Sequence, residues 1–206
     1  MTVAIVDYGS GNLHSAAKAF ERAAREAGLA QPIVVTSDPD AVARADRVVL
    51  PGVGAFADCR RGLDAVDGMV AALDDNVRSR GRPFLGICVG MQWMLQSSEE
   101  APDVHGLGAL NCSCERFPTS VKVPHVGWNQ IMPVRASRLL SNVEPGAFVY
   151  YSHSYRAPLA PETVAVTEYG GEFSAVVERD NTYGVQFHPE KSAKTGMQIL
   201  KNFVDL

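Results

Sequence analysis

The first 90 residues alternate short, β-branched apolar runs with helical patterns, and this alternation limits the possible folds more than any other feature. The strands that it predicts are Val3–Val6, Ile33–Val35, Val48–Leu50 and Phe84–Ile87. Apolar strands that alternate with helices are typical of a parallel sheet, because each crossover connection places a helix on one face of the sheet. We therefore expect an α/β protein with a flavodoxin-like, open and mostly parallel sheet that is flanked by helices.

Capping signals delimit the expected helices. Asn12 precedes a segment whose apolar positions keep the 3.6-residue period until Gly28 ends it. Asp38 followed by Pro39 predicts an N-cap and the first position of a short helix. A further helical pattern runs from Met69 to Arg80 and leads into the fourth strand.

The pattern changes after Gly106, where short alternating runs are broken by proline and glycine. Such runs are typical of antiparallel or mixed strands, so we expect an additional antiparallel region in the C-terminal half. Its predicted strands are Val121–Val123, Phe148–Tyr151, Val164–Val166, Ala175–Val177 and Tyr183–Phe187. A last helix is expected over Lys194–Val204, and no linker divides the chain, so residues 1–206 are expected to form one domain.

Composition argues against several classes of partner. The 19 Lys and Arg against 23 Asp and Glu give a net charge of −4, which does not favour nucleic-acid binding. No apolar run reaches the roughly 18 residues that a membrane span needs, and only a few apolar residues, with no basic region before them, precede Asp7. We therefore expect a cytoplasmic protein without a membrane partner. The four cysteines suit neither a disulfide framework nor a zinc site, so we expect reduced thiols, no metal and no cofactor.

The segment Gly86-Ile87-Cys88-Val89-Gly90 carries the first chemical signal. It lies between an apolar strand and a helical pattern, which is the arrangement of a nucleophile elbow with cysteine in place of serine. The flanking glycines permit a tight turn, and the N-terminal amides of the following helix would favour the thiolate form of Cys88. A buried core cysteine is the alternative interpretation.

The segment His188-Pro189-Glu190 follows about 100 residues later. Proline keeps His188 extended, so the side chains of His188 and Glu190 can project to one side. The carboxylate could then hold one imidazole nitrogen while the other nitrogen faces a thiol. Alternatively, Glu190 is a first-turn acid that pairs with Lys194. The cysteine elbow in the same chain favours a Cys-His-Glu nucleophile system.

The segment Leu50-Pro51-Gly52-Val53-Gly54 ends the third predicted strand. Ligands of open α/β sheets bind at the carboxyl ends of the strands. The segment lacks the lysine of a phosphate-binding loop, so no nucleotide is expected. It is expected to supply a second oxyanion-hole amide beside that of Val89, the alternative being an ordinary strand-to-helix turn.

Three of these segments together resemble the class I, triad-type glutamine amidotransferases: GICVGMQ around Cys88, GVQFHPEKS from Gly184 and LPGVG from Leu50. DYGSGNL from Asp7, VPHVGWN from Val123 and HSY from His153 are more narrowly similar to the glutaminase subunits of imidazole glycerol phosphate synthases. The resemblance implies hydrolysis of L-glutamine to glutamate and ammonia through a cysteinyl thioester, in histidine biosynthesis.

The resemblance also implies roles for individual residues. Cys88 would be the nucleophile, His188 the general base and acid, and Glu190 the group that orients the imidazole. Val53 and Val89 would supply the oxyanion amides. In that family, five matching positions hold the glutamine substrate, and in this sequence they are Gly54, Gln92, Glu100, Ser154 and Tyr155. Glu100 would pair with the substrate's ammonium group, whereas a solvated helix end is the alternative for Glu99 and Glu100.

A partner protein is implied as well: a (β/α)8-barrel cyclase that forms a heterodimer with this chain and receives the ammonia. The residues that match positions at the family's docking face for the cyclase are Asn12, Pro124, Trp128, Tyr150 and Lys191. The large aromatic ring of Trp128 suits an interface anchor, although a half-buried core tryptophan is the alternative.

The sequence departs from the family pattern at a few positions. Val126 stands where methionine is usual and Val89 where leucine is frequent. The path of the loop from Asn111 to Cys114 stays open.

Other functions remain as alternatives. The chain could serve another synthase, such as one for anthranilate or pyridoxal phosphate, but DYGSGNL and VPHVGWN argue against this. It could be a catalytically silent docking subunit, but the intact set Cys88, His188 and Glu190 argues against that. A cysteine peptidase or chaperone of similar fold usually has its histidine beside the elbow.

Overall fold

The computed structural model describes residues 1–30 and 32–206. The strands in this part of the chain are β1 (Val3–Val6), β2 (Ile33–Thr36), β3 (Arg47–Gly52), β4 (Phe84–Cys88), β5 (Ser97–Ser98), β6 (Ser113–Arg116), β7 (His125–Pro133), β8 (Ala147–His153), β9 (Tyr155–Arg156), β10 (Thr163–Glu168), β11 (Glu172–Arg179) and β12 (Thr182–Val185). The α-helices are α1 (Leu13–Glu26), α2 (Pro39–Arg44), α3 (Phe56–Asp64), α4 (Met69–Asp75), α5 (Val89–Trp93) and α6 (Ala193–Asp205). A π-helical turn covers Asn76–Arg80, and a 3-10 turn covers Pro189–Lys191.

A nine-stranded sheet forms the centre of the described structure, in the order β2-β1-β3-β4-β12-β11-β10-β7-β8. The first five strands are parallel and follow the 2-1-3-4-5 order of flavodoxin-like sheets. From β12 onward each strand is antiparallel to its neighbour. The α/β fold expected from the sequence is therefore confirmed, and the antiparallel region continues the same sheet.

Burial explains why β1, β3 and β4 could be recognised as parallel strands in the sequence, whereas β12, expected in the antiparallel region, is parallel to β4. Every residue of β1, β3, β4 and β12 is buried, so these strands are enclosed on both faces. Helix α1 packs against α6, whereas α2, α3, α4 and α5 contact one another as a second group. The cap expected for α1 is present, because the Asn12 side chain accepts a hydrogen bond from the Ser15 amide at 3.4 Å.

The strand expected at Val121–Val123 is wrong. The segment forms a turn, in which the Val121 amide donates to the Pro118 carbonyl at 3.3 Å. The Lys122 carbonyl accepts the Tyr169 hydroxyl at 2.6 Å, so this backbone group is used by a side chain rather than by a neighbouring strand. An apolar run alone therefore did not identify a strand here.

Other elements also differ from the expectation, and the strands β5, β6, β7 and β9 were not among those predicted. Helix α3 was not predicted, since it buries only Phe56, Cys59 and Leu63 and has no side-chain cap. The helix expected to reach Arg80 is α-helical only as far as Asp75 and then widens into the π-helical turn. Strand β12 ends at Val185, before the predicted Phe187.

A small sheet of β5, β6 and β9 lies beside the large one. Strand β6 is parallel to β5 and antiparallel to β9. The loop from Asn111 to Cys114 leads into β6, where the carbonyls of Cys112 and Cys114 accept the amides of Gln96 and Glu99, each at 2.9 Å. This small sheet thus fixes the positions of two loops that border the candidate site.

Candidate active site

Cys88 occupies a strained turn between β4 and α5. Its backbone has φ 55° and ψ −111°, a conformation that residues other than glycine rarely adopt. The two flanking glycines are required by close packing. A Cβ atom on Gly90 would overlap the Leu50 carbonyl, and one on Gly86 would lie 2.6 Å from the Met94 sulfur. The elbow predicted from the Gly-x-Cys-x-Gly spacing is therefore present as a backbone conformation.

His188 reaches the elbow from the neighbouring strand, because β12 lies beside β4 in the sheet. Its backbone is extended (φ −97°, ψ 98°), as expected before Pro189. The His188 Nδ1 atom lies 2.9 Å from Glu190 Oε1, and the two side chains are only 4% and 7% exposed. Glu190 thus contacts the imidazole, so the alternative of a first-turn acid that pairs with Lys194 is wrong.

The pKa of His188 reflects these contacts. Burial alone would lower the pKa, but hydrogen bonds to Cys88 and to Glu190 outweigh burial and raise the pKa to about 9. An imidazolium is therefore favoured beside the Cys88 sulfur at neutral pH. Such a pair is the arrangement that activates a cysteine nucleophile.

The Cys88 sulfur has further polar neighbours on its buried side. It lies 4.0 Å from the Ser152 carbonyl and 3.8 Å from the Gln186 side-chain nitrogen. Gln186 belongs to the sequence motif around His188, but sequence reasoning assigned it no role. The available signal was a single polar residue between Val185 and Phe187, in a segment that is otherwise apolar.

A cavity of ≈ 300 Å³ opens above the sulfur. Cys88 and His188 line it, together with every residue expected to form the oxyanion hole or to hold glutamine. Those residues are Val53, Gly54, Val89, Gln92, Glu100, Ser154 and Tyr155. The structure thus brings into one cavity residues that are spread over more than half of the chain.

Glu100 is anchored at the wall of this cavity. Its Oε2 atom accepts the Phe56 amide at 2.8 Å, at the N-terminus of α3. The neighbouring Glu99 accepts the Arg116 amide, also at 2.8 Å. Both residues lie in a turn after β5, so the alternative of a solvated helix end is wrong. One oxygen of Glu100 remains available to a ligand that carries a positive charge.

Two backbone segments complete the wall. The Tyr155 carbonyl accepts the Gln92 side-chain amide at 2.9 Å, which ties the segment after β8 to helix α5. On the opposite side, the Val53 carbonyl accepts the Ser10 hydroxyl at 3.1 Å, and Gly54 has φ +92°. Val53 is 37% exposed, so this part of the wall is less enclosed than the elbow.

The residues expected at a docking face lie around the same site. Trp128 on β7 and Tyr150 on β8 are cross-strand partners whose rings meet edge to face at 5.9 Å. Trp128 is 52% exposed, so about half of its surface is open to a partner. Pro124 and Lys191 line the cavity, and Asn12 lines a smaller cavity together with His188 and Glu190.

Within residues 1–30 and 32–206, no group of three or more His, Cys, Asp or Glu side chains has a geometry that could hold a metal ion. Among the helices described there, none is both long and apolar enough to cross a membrane. The cysteines Cys59, Cys88, Cys112 and Cys114 are all free thiols.

Solved structures with a similar fold include two that superpose over nearly the whole chain. A crystal structure titled glutamine amidotransferase superposes with a TM-score of 0.74 and 14% identity, covering 98% of this chain and 97% of that one. A putative GMP synthase component from Thermoplasma acidophilum gives a TM-score of 0.70 and 20% identity, covering 100% and 92% of the two chains. At these identities the similarity supports the fold alone.

Sequence relatives are much closer. The imidazole glycerol phosphate synthase subunit HisH of Rhodopseudomonas palustris is 51% identical over 212 residues, which cover 99% of this chain and 98% of the relative. The HisH subunit of Rhodospirillum rubrum is also 51% identical, with the same coverage. Residues 4–206 match the model of the family described as glutamine amidotransferase class-I. The chain therefore belongs to the class-I glutamine amidotransferase family.

Proposed function

We propose that this chain is the glutaminase subunit of an imidazole glycerol phosphate synthase, which hydrolyses L-glutamine and delivers the ammonia to a (β/α)8-barrel cyclase. The observation that carries the proposal is the buried contact series Cys88–His188–Glu190 at the base of a polar cavity. The similarity to named HisH subunits over 99% of the chain supports the choice of synthase.

The geometry suits a two-step acyl transfer. The Cys88 thiolate attacks the side-chain amide carbon of glutamine, and the backbone amides of Val53 and Val89 stabilise the oxyanion. His188 then gives its proton to the leaving nitrogen, so ammonia departs and a glutamyl thioester remains. A water molecule loses its proton to His188 and attacks the thioester, which releases glutamate and restores the thiol–imidazole pair. Glu190 holds the imidazole in position throughout.

Recognition of glutamine is assigned to the cavity wall. Glu100 is the carboxylate on this wall, and its anchored Oε2 leaves Oε1 free to pair with the substrate's ammonium group. Ser154 and Tyr155 border the opposite side, where Gln92 holds the Tyr155 carbonyl in place. Gly54 leaves room for close approach of the substrate, since a side chain there would be strained at φ +92°.

An exposed apolar strip supports docking of the cyclase. Val126, Trp128 and Met132 lie on one face of β7, and Phe148 lies on the adjacent β8; each is about half exposed. Exposed apolar side chains that are grouped in this way are typical of protein interaction sites. Pro124, which directly precedes β7, lines the cavity, so ammonia would be released close to the bound cyclase.

The wall segment around Val53 is suited to control by the partner. Gly52 and Gly54 flank Val53, and the Ser10 hydroxyl bond described above holds its carbonyl oxygen at an exposed position. Rotation of the Gly52–Val53 peptide would move an oxyanion donor into or out of the site. Loss of one such donor costs about 10² to 10³ in rate, which is enough for a switch. The free thiols support the cytoplasm as the compartment of this activity.

The test is glutamate release by the chain alone, with the cyclase from the same organism, and with that cyclase saturated by its own substrate. We expect a stimulation of about 10² or more in the last condition and no release by Cys88→Ala. Equal rates in all three conditions would contradict control by the cyclase. Absence of glutamate release from a folded, assembled complex would contradict the glutaminase function itself.

A further inference from the structure

Gln186 lies behind the nucleophile and is fully buried. Its side-chain Nε2 atom is 3.8 Å from the Cys88 sulfur, within the range of a hydrogen bond to sulfur. We infer that Gln186 is a further catalytic residue, whose amide N–H donates to the Cys88 sulfur and stabilises the thiolate. The inference rests on the proposed function only in taking Cys88 as the nucleophile.

The donor role depends on which end of the Gln186 amide faces the sulfur, and the neighbouring groups decide this. Gln92 Nε2 lies 2.9 Å from the Tyr155 carbonyl oxygen, which can only accept. The Gln92 atom is therefore the NH2 group, and it also lies 3.1 Å from the Gln186 side chain. Because a donor must face an acceptor, the Gln186 atom that faces Gln92 is its oxygen. The NH2 group of Gln186 is consequently left to face the sulfur.

The Tyr155 carbonyl is itself held from its other side. His153 Nδ1 lies 2.8 Å from the same oxygen, so this ring nitrogen carries a proton and donates. His153 Nε2 is then an acceptor, and it lies 3.0 Å from Nδ1 of His125, which must donate. The remaining nitrogen of His125 accepts from Asn129 Nδ2 at 3.3 Å. Every donor in this series points in one direction.

Asn129 fixes the start of the series. Its Nδ2 atom also donates to the Glu168 carbonyl at 3.1 Å, and its Oδ1 atom accepts the Gln130 amide at 2.8 Å. Both ends of this amide are thus assigned by backbone partners. These partners fix the tautomers of the two imidazoles as far as the Tyr155 carbonyl. The orientation of Gln92, and through it that of Gln186, follows separately from the same carbonyl, which can only accept.

The series requires two neutral imidazoles, and their surroundings keep them neutral. Burial lowers the pKa of His125 to about 4 and, more strongly, the pKa of His153 to about 3. The rings are enclosed by aromatic side chains, with Tyr169 stacked on His125 at 4.0 Å between centroids and Phe117 edge-on to His153 at 5.1 Å. At neutral pH the order of donors is therefore fixed.

A donor in this position matters most when the sulfur is charged. Hydrogen bonds to ionised acceptors are stronger than neutral ones, and burial excludes water that could take the place of the amide. The thiolate then has two protein donors, the imidazolium of His188 and the amide of Gln186. A glutamine that only filled space would make no difference between thiol and thiolate, so the two roles predict different titration behaviour.

The experiment measures the rate of Cys88 alkylation by iodoacetamide as a function of pH, in the full chain, by mass spectrometry of the Cys88 peptide. Gln186→Met keeps the length of the side chain and removes the donor. We expect the apparent pKa of Cys88 to rise by about one unit, which is about tenfold less thiolate at neutral pH. An unchanged profile in the folded variant would overturn the inference.

The titratable groups that face Cys88 from the surrounding elements are His188 with Glu190 behind it, Tyr8, Cys59, Cys114, Glu100, His153 and Lys191. Gln186→Met alters none of them, so the shift would report the lost donor. The matched control is Gln96→Met. In the unaltered chain, the exposed amide of Gln96 donates to Asn111 at 2.6 Å and not to the site. The control is expected to titrate as the unaltered chain does.

A second measurement covers the case in which Gln186→Met does not fold. In the unaltered chain, the side-chain amide resonance of Gln186 should move with the same midpoint as the thiolate titration. A resonance that does not change across this midpoint would overturn the inference. Neither readout requires glutamine turnover, so failure of the proposed function and failure of this inference are separately visible.

Discussion

The parallel and antiparallel halves of the large sheet differ in how far their strands are buried. In the parallel half, β4 and β12 are buried along their whole length and place Cys88 and His188 next to each other. In the antiparallel half, β7 and β8 alternate buried with exposed positions, and the exposed positions include Trp128. Strands enclosed on both faces thus bring Cys88 and His188 together, whereas β7 and β8, toward one end of the sheet, leave one face exposed.

The histidines show the same contrast. His188 has a carboxylate on one nitrogen and the Cys88 thiol near it, and its pKa is raised to about 9. His125 and His153 are also buried, but their partners are neutral, and their pKa values are lowered. The charge of the contacting groups, and not burial alone, therefore decides whether the pKa of a buried histidine is raised or lowered.

The largest predicted effect concerns the triad in the parallel half. His188→Ala should lower glutaminase kcat/KM in the complex by about 10² to 10⁴, because general acid and base catalysis is lost. Glu190→Gln should cost less, since the imidazole stays and loses only its orienting charge. Steady-state glutamate assays decide the order. A greater loss for Glu190→Gln than for His188→Ala would show that the two roles are misassigned.

Trp128→Ala should weaken docking of the cyclase rather than glutamine chemistry. Truncation of a central aromatic anchor costs about 2 kcal/mol or more of binding free energy. The ring is half exposed, so the free energy of unfolding should change by less than about 1 kcal/mol. Calorimetric titration with the cyclase and chemical unfolding of the isolated chain measure the two quantities.

Leu159→Ala is the matched control for the docking prediction, because Leu159 is exposed to the same extent, 52%, outside the β7 and β8 strip. It should leave cyclase affinity unchanged. If Trp128→Ala lost stability and kept its affinity, the ring would belong to the core and the contrast between the two halves would fail.

A third prediction concerns pH and the antiparallel half. The pKa of His125 is about 4 in the folded chain and about 6.5 when unfolded, so the unfolded chain binds more protons between these values. The contribution of this residue to stability is therefore present above pH 6.5 and is lost as the pH falls toward 4. The raised pKa of His188 acts oppositely, because its contribution is lost as the pH rises from 6.5 to 9.

Urea unfolding at several pH values tests the predicted fall in the free energy of unfolding at acid pH. His125→Phe keeps a ring between Tyr151 and Tyr169 and removes the titrating group. The acid-side fall in stability should be smaller in this variant than in the unaltered chain. Identical pH dependence in the two proteins would mean that His125 is not held neutral.

Features with a local cause could be predicted from the sequence. The elbow follows from two glycines that allow β4, α5 and β3 to approach, and the buried strands follow from uninterrupted apolar runs. Asn12 and Asp38 mark helix starts through their own side chains. In each case the residues that produce the structure lie next to one another in the chain.

Features that depend on distant contacts could not be predicted. Strands β5 and β9 have two residues each and exist because β6 lies between them. The run Val121–Val123 forms a turn, and its Lys122 carbonyl is taken by Tyr169, 47 residues away. The inferred role of Gln186 likewise depends on its contacts with Cys88 and Gln92, which are distant in the sequence.

The most direct test of the division between chemistry and docking uses Cys88→Ala in an assembled complex with the cyclase. Formation of imidazole glycerol phosphate is measured with glutamine or with ammonium salts as the nitrogen source. The account predicts that product formation from glutamine is abolished, while ammonium supports it at close to the rate of the unaltered complex. Product formation from glutamine at near the unaltered rate, or failure of ammonium to support any product in a complex shown to be assembled, would contradict it.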